Sequence, residues 1–206
     1  QYGKSTELNN FGGRFKYSKV CTLIDNTSTS ITSNITKVKI RRDLQPEYNT
    51  LATYEICFGN KFHIQKTNKD GNGYNIKSTG FTVKDVNGTL YLSDIPKDDT
   101  SGTIFFFRLV NNVPVIVNNN AGVVDYEKGE IMLNPVIFQT SSSTSGIEIQ
   151  AIPESNDVLA FKDIYLELDI SKLGVTVLED TIISGENLSA TQYAVTSSYL
   201  NGNYTR

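Results

Sequence analysis

Apolar residues recur at every second position in several short segments of the chain, and turn-forming residues separate these segments. The segment Ile164 to Ile170 is the plainest example, because isoleucine and leucine alternate there with Tyr165, Glu167 and Asp169. A period of two is typical of a β-strand with one buried face. Many short strands with turns at intervals of roughly 8 to 12 residues predict a mainly β fold, either an antiparallel β-sandwich or a barrel-like domain.

The segment Thr103 to Val110 is apolar on both faces. Three consecutive phenylalanines, Phe105 to Phe107, stand at its centre. A strand with two apolar faces belongs in the middle of a sheet or beneath a second layer. We therefore expect these rings to lie in the core, and an interface hot spot is the alternative.

The segments around Phe81 and Leu92 predict a β-hairpin. Both alternate apolar and polar residues, and the Asn87-Gly88 pair between them is favoured in a type I′ turn. Farther along, Pro114 cannot donate a hydrogen bond to a neighbouring strand. We therefore expect the segment Val113 to Val117 at a sheet edge or at the start of a strand.

A change of period near the start of the chain predicts one short helix. Tyr17, Val20, Cys21 and Ile24 follow the spacing i, i+3, i+4, i+7, which places them on one face of an amphipathic helix. A polar run follows this segment. From Thr36 onward the period is two, which predicts a strand.

The outer face of that predicted strand is basic. A charged face that keeps a sheet edge from pairing with other chains is one interpretation, and a contact for an acidic partner is the other. The residues of this basic cluster are Lys37, Lys39, Arg41 and Arg42.

These patterns divide the chain into three parts. Residues 1–46 are predicted to be a helix-plus-strand element, residues 47–183 a β-rich domain, and residues 184–206 an extended polar C-terminal tail. Spaced aromatic residues in the tail, including Tyr193 and Tyr199, favour docking on a partner. Because the chain starts with Gln and its only methionine is Met132, we expect a fragment of a longer protein.

The net charge of −3 leaves no basic field that would hold a polyanion, so we expect no nucleic acid partner. The longest apolar run, Ile104 to Val110, contains Arg108 and is far shorter than the ~20 residues of a membrane span, so we expect no membrane partner. The two cysteines, Cys21 and Cys57, lie in apolar segments, which favours two reduced, buried thiols over a disulfide.

Residues suited to catalysis or metal binding are scarce. The single histidine, His63, would have to serve any Ser-His-Asp triad, and with two distant cysteines it lacks the spacing of a zinc site. The segment that begins at Asp70 has Phe81 where a calcium loop needs its twelfth-position glutamate. No catalytic pair stands out among the C-terminal carboxylates, which are Glu167, Asp169, Glu179 and Asp180. We expect no enzymatic activity, no metal and no cofactor.

Several motifs near the N-terminus occur together in one known family. They are the sequence Arg14 to Ser18, the pair Ile24-Asp25, the run Ser30 to Thr36, and the ending Arg42-Asp43-Leu44. In these motifs the chain resembles the C-terminal part of the large baseplate wedge protein of T-even-like contractile-tailed phages, which is related to the baseplate J family. Two later segments fit the same family, Val124 to Ile131 and Val177 to Tyr199.

The resemblance implies a structural component of a phage tail baseplate wedge. In that family this part of the protein joins copies within and between wedges into a ring around the hub, and the ring rearranges when the sheath contracts. The implied partners are a second copy of the chain, as a homodimer, and other baseplate wedge proteins, first in the host cytoplasm during assembly and then in the virion. We expect contacts at Lys37, Lys39, Arg41, Arg42, Tyr193 and Tyr199.

A surface-exposed carbohydrate-binding or adhesin module is the alternative. The β content and the loops rich in Asn, Ser and Thr favour it. The absence of tryptophan weakens it, because sugar-binding sites favour large aromatic faces.

Overall fold

The computed structural model describes residues 2–65, 75–160 and 166–178. One α-helix, α1 (Tyr17–Asp25), lies near the N-terminus, and short 3-10 turns occur at Tyr2–Lys4 and Ile170–Lys172. The strands are β1 (Arg14–Phe15), β2 (Ile40–Leu44), β3 (Leu51–Cys57), β4 (Lys77–Ser78), β5 (Phe81–Val83), β6 (Tyr91–Pro96), β7 (Ser101–Val110), β8 (Val113–Asp125), β9 (Glu130–Ser141), β10 (Ile147–Ala151) and β11 (Val158–Leu159).

The predicted fold class is confirmed. All strand pairs described are antiparallel, and the short N-terminal helix is present. The predicted tail, residues 184–206, lies outside the described residues, as does the turn that begins at Asp70. Within the described ranges, no helix is long and apolar enough to cross a lipid bilayer.

A six-stranded and a three-stranded sheet share one apolar core. The larger sheet has the order β3-β9-β8-β7-β6, and β5 pairs with the last residues of β9. The smaller sheet has the order β2-β10-β4. Core side chains come from both sheets, for example Phe106 and Ile131 from the larger sheet and Ile149 from the smaller one. The short pair β1 and β11 joins the N-terminal element to the end of the same unit, residues 1–168.

Strand β7 occupies the middle of the larger sheet, between β6 and β8. The Phe106 ring lies in the core and meets the Phe81 ring edge to face, with the ring centroids 5.1 Å apart. Phe105 and Phe107 are buried as well, and their centroids are 5.7 Å apart. The prediction of a central strand with three core phenylalanines is confirmed.

A buried carboxylate connects β6 to the residues that precede β4. Asp94 Oδ1 accepts hydrogen bonds from the backbone N–H groups of Asn75, at 2.9 Å, and Ile76, at 2.7 Å. The Tyr126 hydroxyl donates to Asp94 Oδ2 at 2.7 Å. Burial raises the pKa of Asp94, against the effect of these hydrogen bonds, which favour the charged form. The carboxylate thus satisfies backbone donors that would otherwise be buried without partners.

The predicted type I′ turn at Asn87-Gly88 is wrong. Strands β5 and β6 meet only at an isolated bridge between Phe81 and Leu90, because β5 pairs with β9 instead. Positive φ angles occur at Asp85 and Gly88 but not at Asn87, whereas a type I′ turn needs them at both central residues. The connection is a longer loop.

A two-residue turn lies at Asn111-Asn112 instead. The φ angles there are 52° and 63°, and the flanking residues Val110 and Val113 pair with each other. Asparagine tolerates this left-handed conformation better than other non-glycine residues, since its short polar side chain bonds locally. Strand β8 begins immediately after the turn, so the predicted strand start beside Pro114 is confirmed.

Three other expectations need correction. Strand β2 begins at Ile40 rather than Thr36, because Ile40 pairs with the last residue of β10 and β10 offers no partner beyond it. Residues 166–170, the described part of the predicted strand from Ile164, contain no strand. Neither cysteine is buried as predicted, although both are unpaired as expected. Cys57 is exposed because alternation along β3 turns Ile56 inward and Cys57 outward, and Cys21 is half-buried.

Residues 169–206 form a separate unit, of which residues 169–178 are described. Asp169 Oδ1 accepts a hydrogen bond from the Ser171 backbone N–H at 3.0 Å and so caps the 3-10 turn. Apolar side chains in this unit are exposed, among them Leu173 and Val175.

Candidate interaction surfaces

The histidine considered for catalysis lies at the surface. The distance from His63 Nδ1 to Glu154 Oε2 is 3.4 Å, and both side chains are about half exposed. The backbone N–H of His63 donates to the carbonyl of Ile152 at 2.9 Å, which fixes this segment beside β10. The arrangement is that of a solvated polar contact on the sheet rim.

Three potential metal ligands come together on strands β3 and β9. Ligand atoms of Glu55, Cys57 and Glu130 all lie within 4.8 Å of one another. The sequence did not indicate this cluster, because it arises from the register that pairs Cys57 with Glu130 rather than from spacing along the chain. Lys128 Nζ lies 4.0 Å from Glu130 Oε2, so a cation already balances part of the charge here.

The structure divides the predicted basic cluster. Lys37 and Lys39 are exposed in the irregular segment before β2. Arg41 Nε lies 2.9 Å from Asp43 Oδ1, and Arg41 Nη1 lies 3.7 Å from Glu148 Oε2. Arg42 Nε donates to the carbonyl of Cys57 at 3.1 Å. The two arginines therefore hold β2 to its neighbours, and the two lysines are the exposed members of the basic cluster. Tyr193 and Tyr199 lie outside the described residues.

Hydrogen bonds of Tyr17 hold the start of α1 both to the β-rich part and to the segment before β2. The backbone N–H of Tyr17 donates to Asp157 Oδ1 at 2.8 Å, and the Tyr17 hydroxyl donates to the carbonyl of Thr36 at 3.1 Å. The apolar face of α1 is only half buried, and Leu23 is exposed on the other side of the helix. Ile35 is 91% exposed. Apolar surface in residues 1–43 is thus available to a partner.

Among the described strands, the distal part of the β7–β8 hairpin, residues 109–118, carries the most exposed apolar side chains, and we call it the hairpin arm. Val113 is 59% exposed and Ile116 is 51% exposed. The other exposed apolar side chains of the arm are Leu109, Val110, Val115 and Val117. Isolated exposed apolar residues are common on proteins, but a contiguous group is typical of a contact with another molecule.

The arm lacks a covering strand on one side because β8 pairs with β9 only near the base of the hairpin. The pairs between these strands run only from Gly122 with Leu133 to Asp125 with Glu130, at the base of the hairpin. Between Gly122 and the Asn111-Asn112 turn, β8 pairs with β7 alone in the part of the chain that the structure describes. A cleft of about 280 Å³ opens where the strands diverge, lined by residues that include Val117, Ala121 and Val136. One edge of the arm therefore lacks a neighbouring strand among the described residues.

The sequence carried a signal for this surface. From Leu109 to Val124 the chain has no charged residue, although charged residues make up 20% of the whole sequence. The prediction at Pro114 identified a strand start, but the Asn111-Asn112 turn and the length of β8 were missed. Once the turn is recognised, the uncharged segment is seen to form the end of a hairpin that extends beyond its pairing with the strands beside it.

A known protein family matches the N-terminal element. Residues 1–43 match the family described as "Baseplate structural protein gp6, C-terminal domain III". The match spans β1, α1 and most of β2, and it agrees with the resemblance seen in the motifs from Arg14 to Asp43. No curated protein matches the chain.

The gp6 match implies a structural role in a phage tail baseplate, in the virion. A structural baseplate family also favours a protein that is not an enzyme and that contacts other baseplate proteins. The match ends at residue 43, before the hairpin arm. For the segments 124–131 and 177–199 the resemblance to the wedge protein remains a prediction.

Proposed function

We propose that this chain is a connecting module of a phage tail baseplate wedge, which binds a second copy of itself and other wedge proteins. The gp6 match over residues 1–43 is the observation that carries this proposal. Two surfaces of different chemistry support it. The exposed lysines 37 and 39 suit an acidic partner, and the uncharged hairpin arm suits an apolar one.

In this proposal the contacts join copies into the ring around the hub, and the ring rearranges when the sheath contracts. A ring that rearranges needs two sets of contacts with similar free energies. The division of contacts between a charged edge and an apolar arm allows one set to change while the other holds. The three parts predicted from the sequence, residues 1–46, 47–183 and 184–206, then serve as anchor, scaffold and docking tail.

Binding to purified wedge proteins of the same baseplate tests the proposal. We expect the chain to co-sediment with them, and the double variant Lys37→Glu and Lys39→Glu to bind at least about fivefold more weakly, because rim charges in an interface contribute modestly. The control reverses two exposed lysines elsewhere, Lys84→Glu and Lys97→Glu, with the same change of charge. Lack of co-sedimentation by the unmodified chain contradicts the proposed function. Equal loss in both double variants restricts the effect to net charge and removes the specific role of the basic edge.

A further inference from the structure

We infer that the hairpin arm is the surface through which two copies of this chain associate, by pairing of the two open β8 edges around Ile116. The inference rests on the self-association in the proposed function and assigns it to particular residues. The arm lies outside the residues that match the gp6 family, so that match does not indicate it.

Backbone geometry shows which groups the open edge offers. Val110 and Val113 flank a two-residue turn, and such flanking residues exchange hydrogen bonds with each other. Alternation along the strand then directs the N–H and C=O groups of Val115 toward β7, and those of Ile116 toward the open edge. Pro114 also faces the open edge, but it has only a carbonyl to offer because proline lacks an N–H.

The stretch of β8 that can pair with another strand is limited on both sides of Ile116. Pro114 removes a donor on one side of Ile116. On the other side a register shift between the pairs Phe107 with Ile116 and Phe106 with Asn118 introduces a bulge. A strand that can exchange a full pair of hydrogen bonds only near Ile116 fits a second copy in a two-fold arrangement, in which Ile116 faces Ile116 of the other copy. Both open edges are consumed in such a pair, so the assembly closes as a dimer.

The side chains favour the same occupant. Each copy carries a net charge of −3, which opposes association, but no charge lies between Leu109 and Val124. Arg108, on β7 opposite Val115, is a charged side chain beside this stretch, and it donates to the carbonyl of Asn87 at 3.4 Å. The two β8 strands themselves therefore meet without like-charge repulsion. Pairing would cover Val113 and Val115 on one face and Ile116 on the other, all of which are exposed in the single chain. Burial of this apolar surface supplies the driving force.

A charge placed in the arm tests the inference. In sedimentation velocity over a wide concentration range, we expect Ile116→Glu to weaken self-association by at least about tenfold, since a carboxylate would be buried without a partner. The matched control is Ile170→Glu, which makes the same substitution at an exposed isoleucine outside the arm and outside the residues that match the gp6 family, and it should leave self-association unchanged. Thermal melting of both variants checks that each is folded.

Disulfide trapping gives a readout that does not depend on tolerance of a buried charge. Paired residues in an antiparallel ladder have Cα atoms ~4.5–5.5 Å apart, within the ~4.4–6.8 Å that a disulfide spans. With both natural cysteines replaced by serine, Ile116→Cys should form a covalent dimer under mild oxidation, and Ile170→Cys should not.

The outcomes separate this inference from the proposed function. Self-association that survives Ile116→Glu, without trapping by Ile116→Cys, overturns the role of the arm and leaves a self-associating baseplate module with another contact surface. An unmodified chain that stays monomeric at every concentration overturns the inference and the self-association together, while binding to wedge proteins decides the rest of the proposed function.

Discussion

At the scale of single residues, Asp94 is a buried carboxylate that accepts three hydrogen bonds. It accepts two backbone hydrogen bonds and one from the Tyr126 hydroxyl, and it ties the segment of Asn75 and Ile76 to β6. These hydrogen bonds protect an edge of the larger sheet by satisfying the backbone N–H groups beside it, rather than by placing charged side chains on its outer face. The free energy of unfolding should therefore depend on each bond to this carboxylate.

Replacement of the hydroxyl donor tests this dependence. We expect Tyr126→Phe to lower the free energy of unfolding by about 1–3 kcal/mol, because it leaves a buried carboxylate oxygen with one hydrogen bond fewer. Urea denaturation gives the value. Tyr91→Phe is the control, since Tyr91 lies at the partly exposed face of the same sheet and should change stability by less than about 0.5 kcal/mol. Equal stability of the two variants would contradict the account of Asp94.

The pH dependence of stability has a predicted sign at this residue. Burial raises the pKa of folded Asp94 above its ordinary value of 3.8, so between these values the folded state binds more protons than the unfolded state. The contribution of Asp94 to stability is then greatest in acid and falls as pH rises through that interval. We expect the difference in free energy of unfolding, wild type minus Asp94→Asn, to fall as pH rises above 3.8. A difference that rises with pH would show that the hydrogen bonds outweigh burial.

At the scale of elements, the β7–β8 hairpin sets the shape of the larger sheet. Its turn at Asn111-Asn112 has positive φ at both residues, which fixes the register of two long strands and extends them beyond β9. The loop at Asn87-Gly88, which has the more familiar turn sequence, makes a wider connection. The two sites therefore differ in their tolerance of β-branched residues.

Valine substitutions distinguish these two sites. Asn112→Val should lower the free energy of unfolding by about 1–2 kcal/mol, because a β-branched residue resists the left-handed conformation found there. Asn87→Val should cost less than about 0.5 kcal/mol, because Asn87 has no positive φ and bonds Arg108 only through its backbone carbonyl. Chemical denaturation of both variants provides the comparison. A larger loss of stability for Asn87→Val than for Asn112→Val would indicate that the tight turn lies at Asn87.

Local patterns in the sequence were sufficient for some elements and insufficient for others. The amphipathic spacing from Tyr17 predicted α1, and the doubly apolar pattern around Phe106 predicted a central strand, because both depend on residues close in sequence. Pairing could not be derived in the same way. The partner of β5 is β9 rather than β6, and β2 starts where β10 ends, so both features depend on residues far apart in sequence.

The candidate surfaces show the same limit. The exposed lysines 37 and 39 follow from alternation, whereas Arg41 is drawn toward Asp43 and Glu148 by neighbours that the sequence does not identify. The sequence shows that the residues of the arm are uncharged, but their exposure follows only from the separation of β8 from β9.

At the scale of the whole molecule, an N-terminal segment that matches the gp6 family is combined with a β-rich unit whose hairpin arm is uncharged and has an open edge. Exposed strand edges with apolar side chains are usually blunted by charge, so their persistence favours a partner in the assembled state. Proline and a bulge confine the open edge to a short stretch, which favours a limited pairing over open-ended aggregation. These features support the proposal that the chain joins copies in a baseplate.

Sedimentation velocity of the unmodified chain over a wide concentration range tests this claim most directly. We expect a monomer at low concentration that converts to a dimer as concentration rises, with no larger species. A single monomeric species at every concentration would contradict self-association as the function of this module. A continuous series of larger species would contradict the closed, two-fold pairing of the arms.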